Sequence, residues 1–445
     1  MKGRIVEPYA YTDGPVENCF WKETTSPMVR SGADGASRTD VAIIGAGFTG
    51  LSAALHLAEN GVDVVVLEAN QPGWGASGRN GGFCCLGGSK ASNARLRRAY
   101  GEKDQRRYRQ AEKATVRFVR NLLDRLGIEA DTHSRGETVL AHSPRAFAAM
   151  REEASEIEEN YGLTPELIEK SELATQGLNG AFYGGMTTPL GFGLNPLKYV
   201  TGLAESAERA GARIHGNSPV NSLEPTGVGY RLRTPTGEVL AQRVVIATNG
   251  YSSDDLPKWM AGRYMPTASN VIVTRVLSEE EKQAQGWTSD QMAYDSRTML
   301  HYFRLMPDGR FLFGMRGGIR QTRWSEAGMR RKIRRDFERM FPAWANVETP
   351  WFWSGLLSLS PSLAPFAGEV PGQKAMFAGF AYHGNGVAMG SYVGRGLADK
   401  VLGRTPEYPW PEFFEAPLGR FPGGRARRAL LVPAYLGYSI SDYLG

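Results

Sequence analysis

A glycine motif near the N-terminus constrains the fold more than any other segment of the chain. Residues 41–44 form a short apolar run typical of a buried strand, and Gly45, Gly47 and Gly50 follow in the spacing GxGxxG at the start of an apolar helix. The first glycine permits a tight turn, the second leaves room for a phosphate group, and the third lets the helix pack closely on the sheet. The segment therefore predicts the first strand, turn and helix of a Rossmann-like α/β unit, whose helix N-terminus binds anions.

A second apolar strand completes this unit. It covers residues 62–67 and ends at Glu68, roughly 20 residues beyond the first glycine, where a carboxylate can accept hydrogen bonds from ribose hydroxyls. Strand, glycines, helix and acid together predict a site for the adenosine diphosphate half of a dinucleotide. NAD and FAD share that half, so the motif alone leaves both open. Residues 69–82 then form a loop of small residues that is long enough to lie beside an extended cofactor.

The length of the chain predicts two domains, because 445 residues exceed what one hydrophobic core usually serves. A formal net charge of +6 indicates a surface that mildly favours anions, whether nucleic acid, anionic lipid or a small acidic ligand. Glycine is unusually frequent, with 54 residues, and glycine clusters mark backbone that turns sharply or approaches a ligand closely. These clusters lie at 45–50, 73–88, 184–193, 314–318 and 379–396.

The cysteines exclude several classes of protein. Cys19, Cys84 and Cys85 are odd in number and two of them are adjacent, so they fit neither a disulfide framework nor a zinc site. We predict a reducing compartment and no metal site. The N-terminal segment lacks the apolar core of a secretory signal, and no run of about 18 apolar residues follows it. The expectation is a cytoplasmic protein without a transmembrane segment.

Charged helices leave open an alternative of a different class. A basic amphipathic stretch at 95–120 precedes an acidic stretch at 151–172, a pattern typical of solvated helix faces that attract each other. The alternative is a nucleic-acid or other binding module that uses the basic surface. No aromatic and basic pattern of a known RNA or DNA module accompanies these charges, so we predict no nucleic-acid partner.

The loop after Glu68 contains the run GASGRNGG at residues 75–82, and here the chain resembles the D-amino-acid oxidase superfamily of FAD enzymes, in particular its gamma-glutamylputrescine oxidase group. The strand end at 211–220, the ATNG turn at 247–250 and the glycine-rich segment at 375–390 support the same resemblance, which covers almost the whole chain. It implies an FAD cofactor. The family's covalent attachment points are absent, since the C-terminal segment has no cysteine and the early loop no histidine, so we expect non-covalent FAD.

The resemblance also implies which residues contact the FAD. They are Gly45, Ala46, Gly47, Phe48, Thr49, Gly50, Glu68, Ala69, Gly75, Ala76, Ser77, Arg79, Asn80, Gly81, Gly82, Val220, Ala247, Thr248, Asn249, Gly250, Gly384, Asn385, Gly386, Val387 and Ala388. A helix that begins after Gly386 is expected to direct N–H groups toward flavin N1 and O2. Cys84 and Cys85 follow the loop closely and are either small apolar fillers or redox partners of the flavin.

The predicted fold class is α/β, with a Rossmann-like FAD-binding domain interleaved with an α+β substrate domain built on an antiparallel sheet. The cofactor segments lie far apart in sequence, so the FAD-binding domain is discontinuous and the substrate domain is inserted between its parts. An N-terminal arm and a C-terminal tail complete the chain; the tail is expected to lie extended over the protein body, with contact to a membrane surface as the alternative. The predicted boundaries are arm 1–38, FAD-binding domain 39–95, 193–255 and 355–404, substrate domain 96–192 and 256–354, and tail 405–445.

Five side chains are predicted to position the substrate: His383, Tyr302, Arg304, Arg316 and Trp353. Residues 294–316 are predicted to form antiparallel strands, and alternation places Tyr302 and Arg304 on one face. Arg297, Arg304 and Arg316 are natural partners of a carboxylate or phosphonate, although each also fits a surface strand arginine. His383 and Trp353 occupy family positions beside the flavin, with a structural histidine and a core tryptophan as the alternatives.

The resemblance implies oxidation of a small amine or amino acid. The arginines favour a substrate with an anionic group, either a carboxylate or, in an aminophosphonate, a phosphonate. A hydride would pass from the α-carbon to flavin N5, the imine would hydrolyse, and O2 would reoxidise the flavin to give H2O2. A dehydrogenase that passes electrons to a quinone or carrier protein remains an alternative, since residues 310–318 lack the lysine that family oxidases use for oxygen activation. A gamma-glutamylputrescine-type oxidase is a further alternative, from which Arg316 departs. The sequence makes no prediction of oligomeric state.

Overall fold

Two sheets of eight strands each form the framework of the part of the chain that the computed structural model describes, residues 3–444, with side chains up to residue 442. The α-helices are α1 (Phe48–Glu59), α2 (Asn93–Tyr100), α3 (Glu102–Leu126), α4 (Pro144–Tyr161), α5 (Pro196–Arg209), α6 (Glu279–Gln285), α7 (Arg323–Met340), α8 (Ala388–Val401) and α9 (Leu431–Leu444). Short 3-10 turns lie at Pro8–Tyr11, Gly14–Val16, Phe20–Glu23, Ala76–Gly78, Asn249–Tyr251, Lys258–Met260, Pro342–Trp344, Glu412–Glu415 and Gly424–Leu430.

The strands follow in chain order. They are β1 (Gly35–Ile44), β2 (Val64–Leu67), β3 (Phe83–Cys84), β4 (Glu137–Leu140), β5 (Glu166–Glu169), β6 (Gly184–Thr188), β7 (Phe192–Gly193), β8 (Arg213–His215), β9 (Ser222–Thr226), β10 (Gly229–Arg233), β11 (Gly237–Ile246), β12 (Met265–Val276), β13 (Met292–Asp295), β14 (His301–Leu305), β15 (Arg310–Arg316), β16 (Trp351–Leu359), β17 (Phe366–Glu369) and β18 (Met376–Phe380).

The first sheet has the order β17-β18-β11-β1-β2-β8 and is parallel except for its edge strand β17 and the hairpin β9–β10 beside β11. Its central strands are runs of Val, Ile, Ala and Leu buried on both faces, as parallel strands require. Helices α1, α5 and α8 pack in one layer. The carboxyl ends of β1, β2, β11 and β18 meet at one edge, where parallel α/β sheets bind their ligands.

The second sheet has the order β16-β12-β15-β14-β13-β4-β6-β5 and is antiparallel except between β13 and β4. One face is covered by α7 and an aromatic core that includes Phe303, Phe313 and Trp344. Side chains alternate across each strand, so the neighbours of these residues point the other way. Tyr302 and Ser269 lie on that second face, which forms a wall of a cavity.

These sheets confirm the predicted fold class. The strands of the first sheet come from three separate stretches of chain, residues 35–67, 213–246 and 366–380. The exact domain limits stay predictions, and two of them fall inside strands. β1 already begins at Gly35, before the predicted end of the arm, and β16 runs from 351 to 359 across the predicted limit at 354.

The C-terminal segment differs from the extended tail that the prolines suggest, because its last described residues form α9. Its basic residues dock on the protein body: Arg427 is fully buried and forms an ion pair with Asp254 at 2.6 Å, and Arg428 pairs with Glu7 of the arm at 3.1 Å. No helix within residues 3–444 combines the length and the apolar character needed to cross a bilayer.

Candidate functional site

A cavity of about 340 Å³ lies between the carboxyl edge of the first sheet and the inner face of the second. Leu67 and Val220 line it on the side of the first sheet, and Ser269, Val271 and Tyr302 line it on the side of the second. Its volume is in the range of small-molecule and cofactor sites. The cavity therefore places the predicted cofactor segments and the predicted substrate strands around one space.

Most residues predicted to contact the cofactor line this cavity. They are Gly45, Gly47, Phe48, Thr49, Glu68, Ala69, Gly75, Ala76, Ser77, Arg79, Asn80, Gly81, Val220, Ala247, Thr248, Asn249, Gly384, Asn385, Gly386 and Val387. The structure differs for Ala46, Gly50, Gly82, Gly250 and Ala388, which lie behind the wall.

The residues behind the wall shape it instead. A Cβ atom on Gly50 would lie 1.9 Å from the carbonyl oxygen of Gly45, and one on Gly82 would lie 1.9 Å from that of Leu194. A Cβ on Gly250 would meet a carbonyl of β16 at 2.7 Å. These glycines permit close backbone packing, while Ala388 is the buried first residue of α8.

Glu68 lies at the end of β2 and presents its carboxyl group to the cavity. Oε2 accepts a hydrogen bond from the N–H of Ala46 at 2.8 Å, and Oε1 accepts one from the N–H of Asn70 at 3.1 Å. Burial raises the pKa of this carboxyl group. Two backbone bonds thus fix the carboxyl group at the position expected for a ribose contact.

Two helices begin at the cavity without a side-chain cap. Gly47 precedes α1 and Val387 precedes α8, and neither supplies a side-chain acceptor for the first N–H groups. Serine, threonine or asparagine side chains cap α2, α4, α5, α6 and α7, whereas α3, which begins after Gly101 and away from the cavity, also has no side-chain cap. The N–H of Phe48, the first residue of α1, donates to Ser77 Oγ at 2.9 Å, and both helix N-termini keep a positive dipole end. A Cβ on Gly47 would lie 2.7 Å from Ser77 Oγ, so glycine keeps this turn close to the loop. Helix N-termini at a cavity wall bind anions, and the site therefore fits the pyrophosphate of FAD.

The turn before α8 is strained. Ala381, His383 and Gly384 have φ angles of 67°, 52° and 99°, a region that residues with a Cβ rarely adopt. The His383 ring lines the cavity, but both of its nitrogens are occupied: Nδ1 donates to the carbonyl of Gly88 at 3.0 Å, and Nε2 accepts from the N–H of Ser360 at 3.2 Å. Burial lowers the pKa of His383 to about 3, so its ring is neutral. These contacts favour the structural alternative for this histidine.

Arg316 extends from the end of β15 into the cavity. Nη2 donates a hydrogen bond to the carbonyl of His383 at 3.4 Å, and no carboxylate of residues 3–442 lies within ion-pair distance of the guanidinium. Burial lowers the pKa of Arg316. Tyr302 forms the adjoining wall, with its hydroxyl 2.9 Å from Ser269 Oγ. The structure thus brings these two predicted substrate residues together.

Arg304, Arg297 and Trp353 do not line the cavity. The buried Arg304 guanidinium donates to the carbonyl of Gly81 in the cofactor loop at 3.0 Å and to that of Leu194 after β7 at 2.7 Å, so backbone groups occupy its donors. Arg297 pairs with Asp295 at 2.5 Å. The indole of Trp353 donates to the carbonyl of Arg79 at 2.7 Å, again behind the cofactor loop.

The cavity is also lined by residues that were not predicted from the sequence, among them Lys90, Glu137 and Tyr294. The charge of Arg316 and burial lower the pKa of Lys90 to about 7. Burial raises the pKa of Glu137 to about 8, and its carboxyl group is hydrogen-bonded to the Cys85 thiol. A lysine eight residues past the GASGRNGG run was the available signal for Lys90; Glu137 begins the short strand β4, which has no distinguishing pattern.

The N-terminal arm also reaches the cavity. Arg4 and Tyr11 line it, with the guanidinium carbon of Arg4 3.9 Å from the centre of the Tyr11 ring. The Trp21 indole donates to the carbonyl of Asn80 at 2.9 Å, so the arm also contacts the cofactor loop. The sequence of the arm has no regular pattern, so these contacts with the cavity and the cofactor loop were not predicted.

Comparison with known proteins agrees with this geometry. The chain matches the family model of FAD dependent oxidoreductases over residues 40–400. It is 32% identical over 426 residues to the probable oxidoreductase OrdL of Rhizobium meliloti, covering 95% of this chain and 97% of that one. It is 31% identical over 410 residues to the gamma-glutamylputrescine oxidoreductase of Escherichia coli, with coverage of 91% and 93%. Glycine oxidase from Geobacillus kaustophilus has the same fold, with a TM-score of 0.69 at 20% identity over 83% of this chain and 96% of its own.

Proposed function

The chain belongs to the FAD-dependent oxidoreductase family of the D-amino-acid oxidase type, and from this premise we propose that it oxidises a small amine or amino acid that carries a carboxylate or phosphonate group. The imine product is hydrolysed by water to a carbonyl compound with release of ammonia or a smaller amine. O2 is the proposed electron acceptor, with H2O2 as its product. When bound, FAD supplies the hydride acceptor for the carbon next to the amine nitrogen.

We assign the cofactor half of the cavity by charge and by backbone donors. Glu68 would accept hydrogen bonds from the ribose hydroxyls, because its backbone partners hold it at the end of β2. The uncapped N-terminus of α1 would bind the pyrophosphate, and that of α8 would direct N–H groups to the flavin ring. Non-covalent attachment stays part of this proposal.

One observation carries the choice of substrate. Arg316 faces the cavity as a cation without a carboxylate partner in the described chain. An enclosed charge is costly unless a partner of opposite sign is present, so the ligand is expected to supply that partner. A guanidinium binds a carboxylate or phosphonate through two parallel hydrogen bonds.

The other walls orient and enclose the substrate. Tyr302 is held by Ser269, and its ring would pack against the bound amine. His383 is neutral and hydrogen-bonded at both nitrogens, so it would hold the turn before α8 in place and would not transfer a proton. Arg304 and Trp353 would position the loop 79–82 from behind.

The direct test is anaerobic reduction of the purified FAD enzyme by a panel of amines, amino acids and aminophosphonates, each paired with an uncharged analogue. Loss of the oxidised flavin absorbance is expected with members that carry an acid group. Arg316→Gln should weaken the response to these members far more than to the uncharged analogues. Equal losses would contradict the role of Arg316, and no reduction by any amine would contradict the function.

The same panel separates the electron acceptors. Reduced enzyme that is mixed with air should regain its oxidised spectrum and release H2O2. Reoxidation only by an artificial quinone or dye would instead support a dehydrogenase. Gamma-glutamylputrescine belongs in the panel because of the Escherichia coli relative, and a clear preference for it would replace our substrate assignment.

A further inference from the structure

Lys90 and Arg316 face the same cavity from different elements. Lys90 follows β3, and Arg316 ends β15. Lys90 is exposed and lines the cavity. Neither cation forms an ion pair with a carboxylate of residues 3–442. Two cations that line one cavity without a carboxylate partner favour a ligand that supplies the negative charge.

A shared turn holds these two cations in one region. The ring of His383 donates to the carbonyl of Gly88, which lies two residues before Lys90, at 3.0 Å. The backbone carbonyl of the same histidine accepts the bond from Arg316. A Cβ on Gly384 would lie 2.6 Å from Arg316 Nη2, so the guanidinium packs directly on this turn. The strained turn is therefore flanked by both cations.

We propose that Lys90 and Arg316 together bind the acid group of the substrate, so that preferred substrates are amines whose carboxylate or phosphonate accepts hydrogen bonds from two cations at once. This inference rests on the proposed function, since it assigns a place to the acid group of the same substrate. The guanidinium offers a fixed pair of donors, and the ammonium of Lys90 offers rotatable donors that can reach the remaining oxygen.

Binding of the acid should also change the protonation of Lys90. The groups that face Lys90 are Arg316 from β15, Cys85 after β3, Glu137 from β4 and Glu112 from α3. The charge of Arg316 is the largest influence, and with burial it lowers the pKa of Lys90 to about 7 against the opposing effect of the thiol and the carboxyl groups. A bound anion offsets the repulsion from Arg316 and raises that pKa. Lys90 is therefore expected to take up a proton when an acid binds above pH 7.

The test uses propionate as the probe, because it carries no amine and brings no proton at neutral pH. The FAD enzyme is titrated with propionate by calorimetry at pH 8, in two buffers with different ionisation enthalpies. Uptake of about 0.9 proton per site is expected, since a lysine with a pKa near 7 is largely neutral at that pH. Affinity should fall about tenfold between pH 6 and pH 8. Propionamide should bind much more weakly and without proton uptake.

Variants of Lys90 keep the test independent of folding defects. Lys90→Arg is always charged, so it should bind propionate at both pH values and lack the uptake that Lys90 contributes; uptake that remains belongs to Glu137, whose pKa is about 8. Lys90→Met should bind more weakly at pH 6 and lack the same contribution. Arg316→Gln removes the largest cause of the lowered pKa, so proton uptake should move to higher pH. Lys374→Met, an exposed lysine before β18 at the far edge of the first sheet, is the matched control and should behave as the parent enzyme.

Methylphosphonate, tested in parallel, shows whether the pair prefers a phosphonate or a carboxylate. The inference is overturned if Lys90→Met binds propionate as tightly as the parent enzyme at pH 6, where Lys90 of the parent is charged. If that result is obtained and acidic amines still reduce the flavin, the proposed function stands and only the inference about Lys90 fails. Proton-linked acid binding without flavin reduction by any amine would instead overturn the proposed function alone.

Discussion

Replacing Arg304 by methionine should weaken FAD binding without a specific effect on acidic substrates. The guanidinium is buried and donates hydrogen bonds to the carbonyls of Gly81 and Leu194 and contacts His133 Nε2 at 2.7 Å. Methionine has a similar length but no donor, so both buried carbonyls lose their partner. Each unpaired buried acceptor costs about 1–3 kcal/mol, which gives a loss of about 4 kcal/mol in the free energy of unfolding.

Part of that loss should appear as weaker cofactor binding, because Gly81 belongs to the loop that lines the cavity. A displacement that costs about 1.4 kcal/mol in the bound state raises the Kd for FAD tenfold. We expect at least this factor for Arg304→Met, measured by quenching of FAD fluorescence on reconstitution of the apoprotein. Chemical denaturation of the apoprotein measures the loss of stability separately.

Arg213→Met provides the matched control. Arg213 also lies on a strand, and its guanidinium pairs with Asp63 at 2.7 Å, but both side chains are nearly half exposed. Exposed ion pairs of this kind contribute about 0–1 kcal/mol, so FAD affinity should not change. The reasoning is refuted if Arg304→Met retains the parent Kd for FAD and loses affinity for propionate, since Arg304 would then bind the acid group and not position the loop.

Three further predictions follow from packing and charge. Gly50→Ala should abolish FAD retention, because the new Cβ would lie 1.9 Å from the Gly45 carbonyl; flavin content measures this, and Gly328→Ala, with open space around it, is the control that should retain FAD. His301 lies between two aspartates that raise its pKa, so its charge stabilises the fold below the unfolded pKa of about 6.5. This contribution is lost as pH rises through the higher folded pKa, and the denaturant midpoint of the parent should fall over that range. His301→Gln should show a smaller fall. Asp442→Ala should speed hydrogen exchange at residues 298–299, because its carboxylate accepts from both of their N–H groups, and unchanged exchange would contradict this contact.

The glycine motif and its flanking strands were sufficient to predict the parallel sheet, because close packing of β1, α1 and β2 permits few alternatives at Gly45 and Gly50. The resemblance to the D-amino-acid oxidase superfamily is also confirmed. Alternation of side chains correctly placed Tyr302 on the cavity face of β14. Sequence patterns of this kind report local geometry, which is the same in every protein that uses the turn.

The same alternation did not distinguish Arg304 from Arg316. Both occur on strands of the second sheet, but only tertiary packing shows that the carbonyls of Gly81 and Leu194 occupy Arg304 while Arg316 lines the cavity. Lys90 and Glu137 were missed for a related reason, since residues distant in sequence converge on them only after the two sheets pack together. Positions that depend on contacts between domains leave no periodic signal in the chain.

The placement of charge explains why the net charge of +6 was a poor guide to the ligand. Much of the surface charge is paired within the protein, as in Arg106 with Glu102 at 2.5 Å and Arg334 with Glu338 at 2.7 Å. Arg316 and Lys90 have no carboxylate partner among residues 3–442 and line the cavity, where the surroundings screen charge less than bulk water does. Preference for an acidic substrate should therefore persist at high salt, whereas binding through the basic surface would weaken as salt is added. Measuring propionate affinity at low and high sodium chloride separates these two origins of the preference, and a steep salt dependence would assign it to the surface.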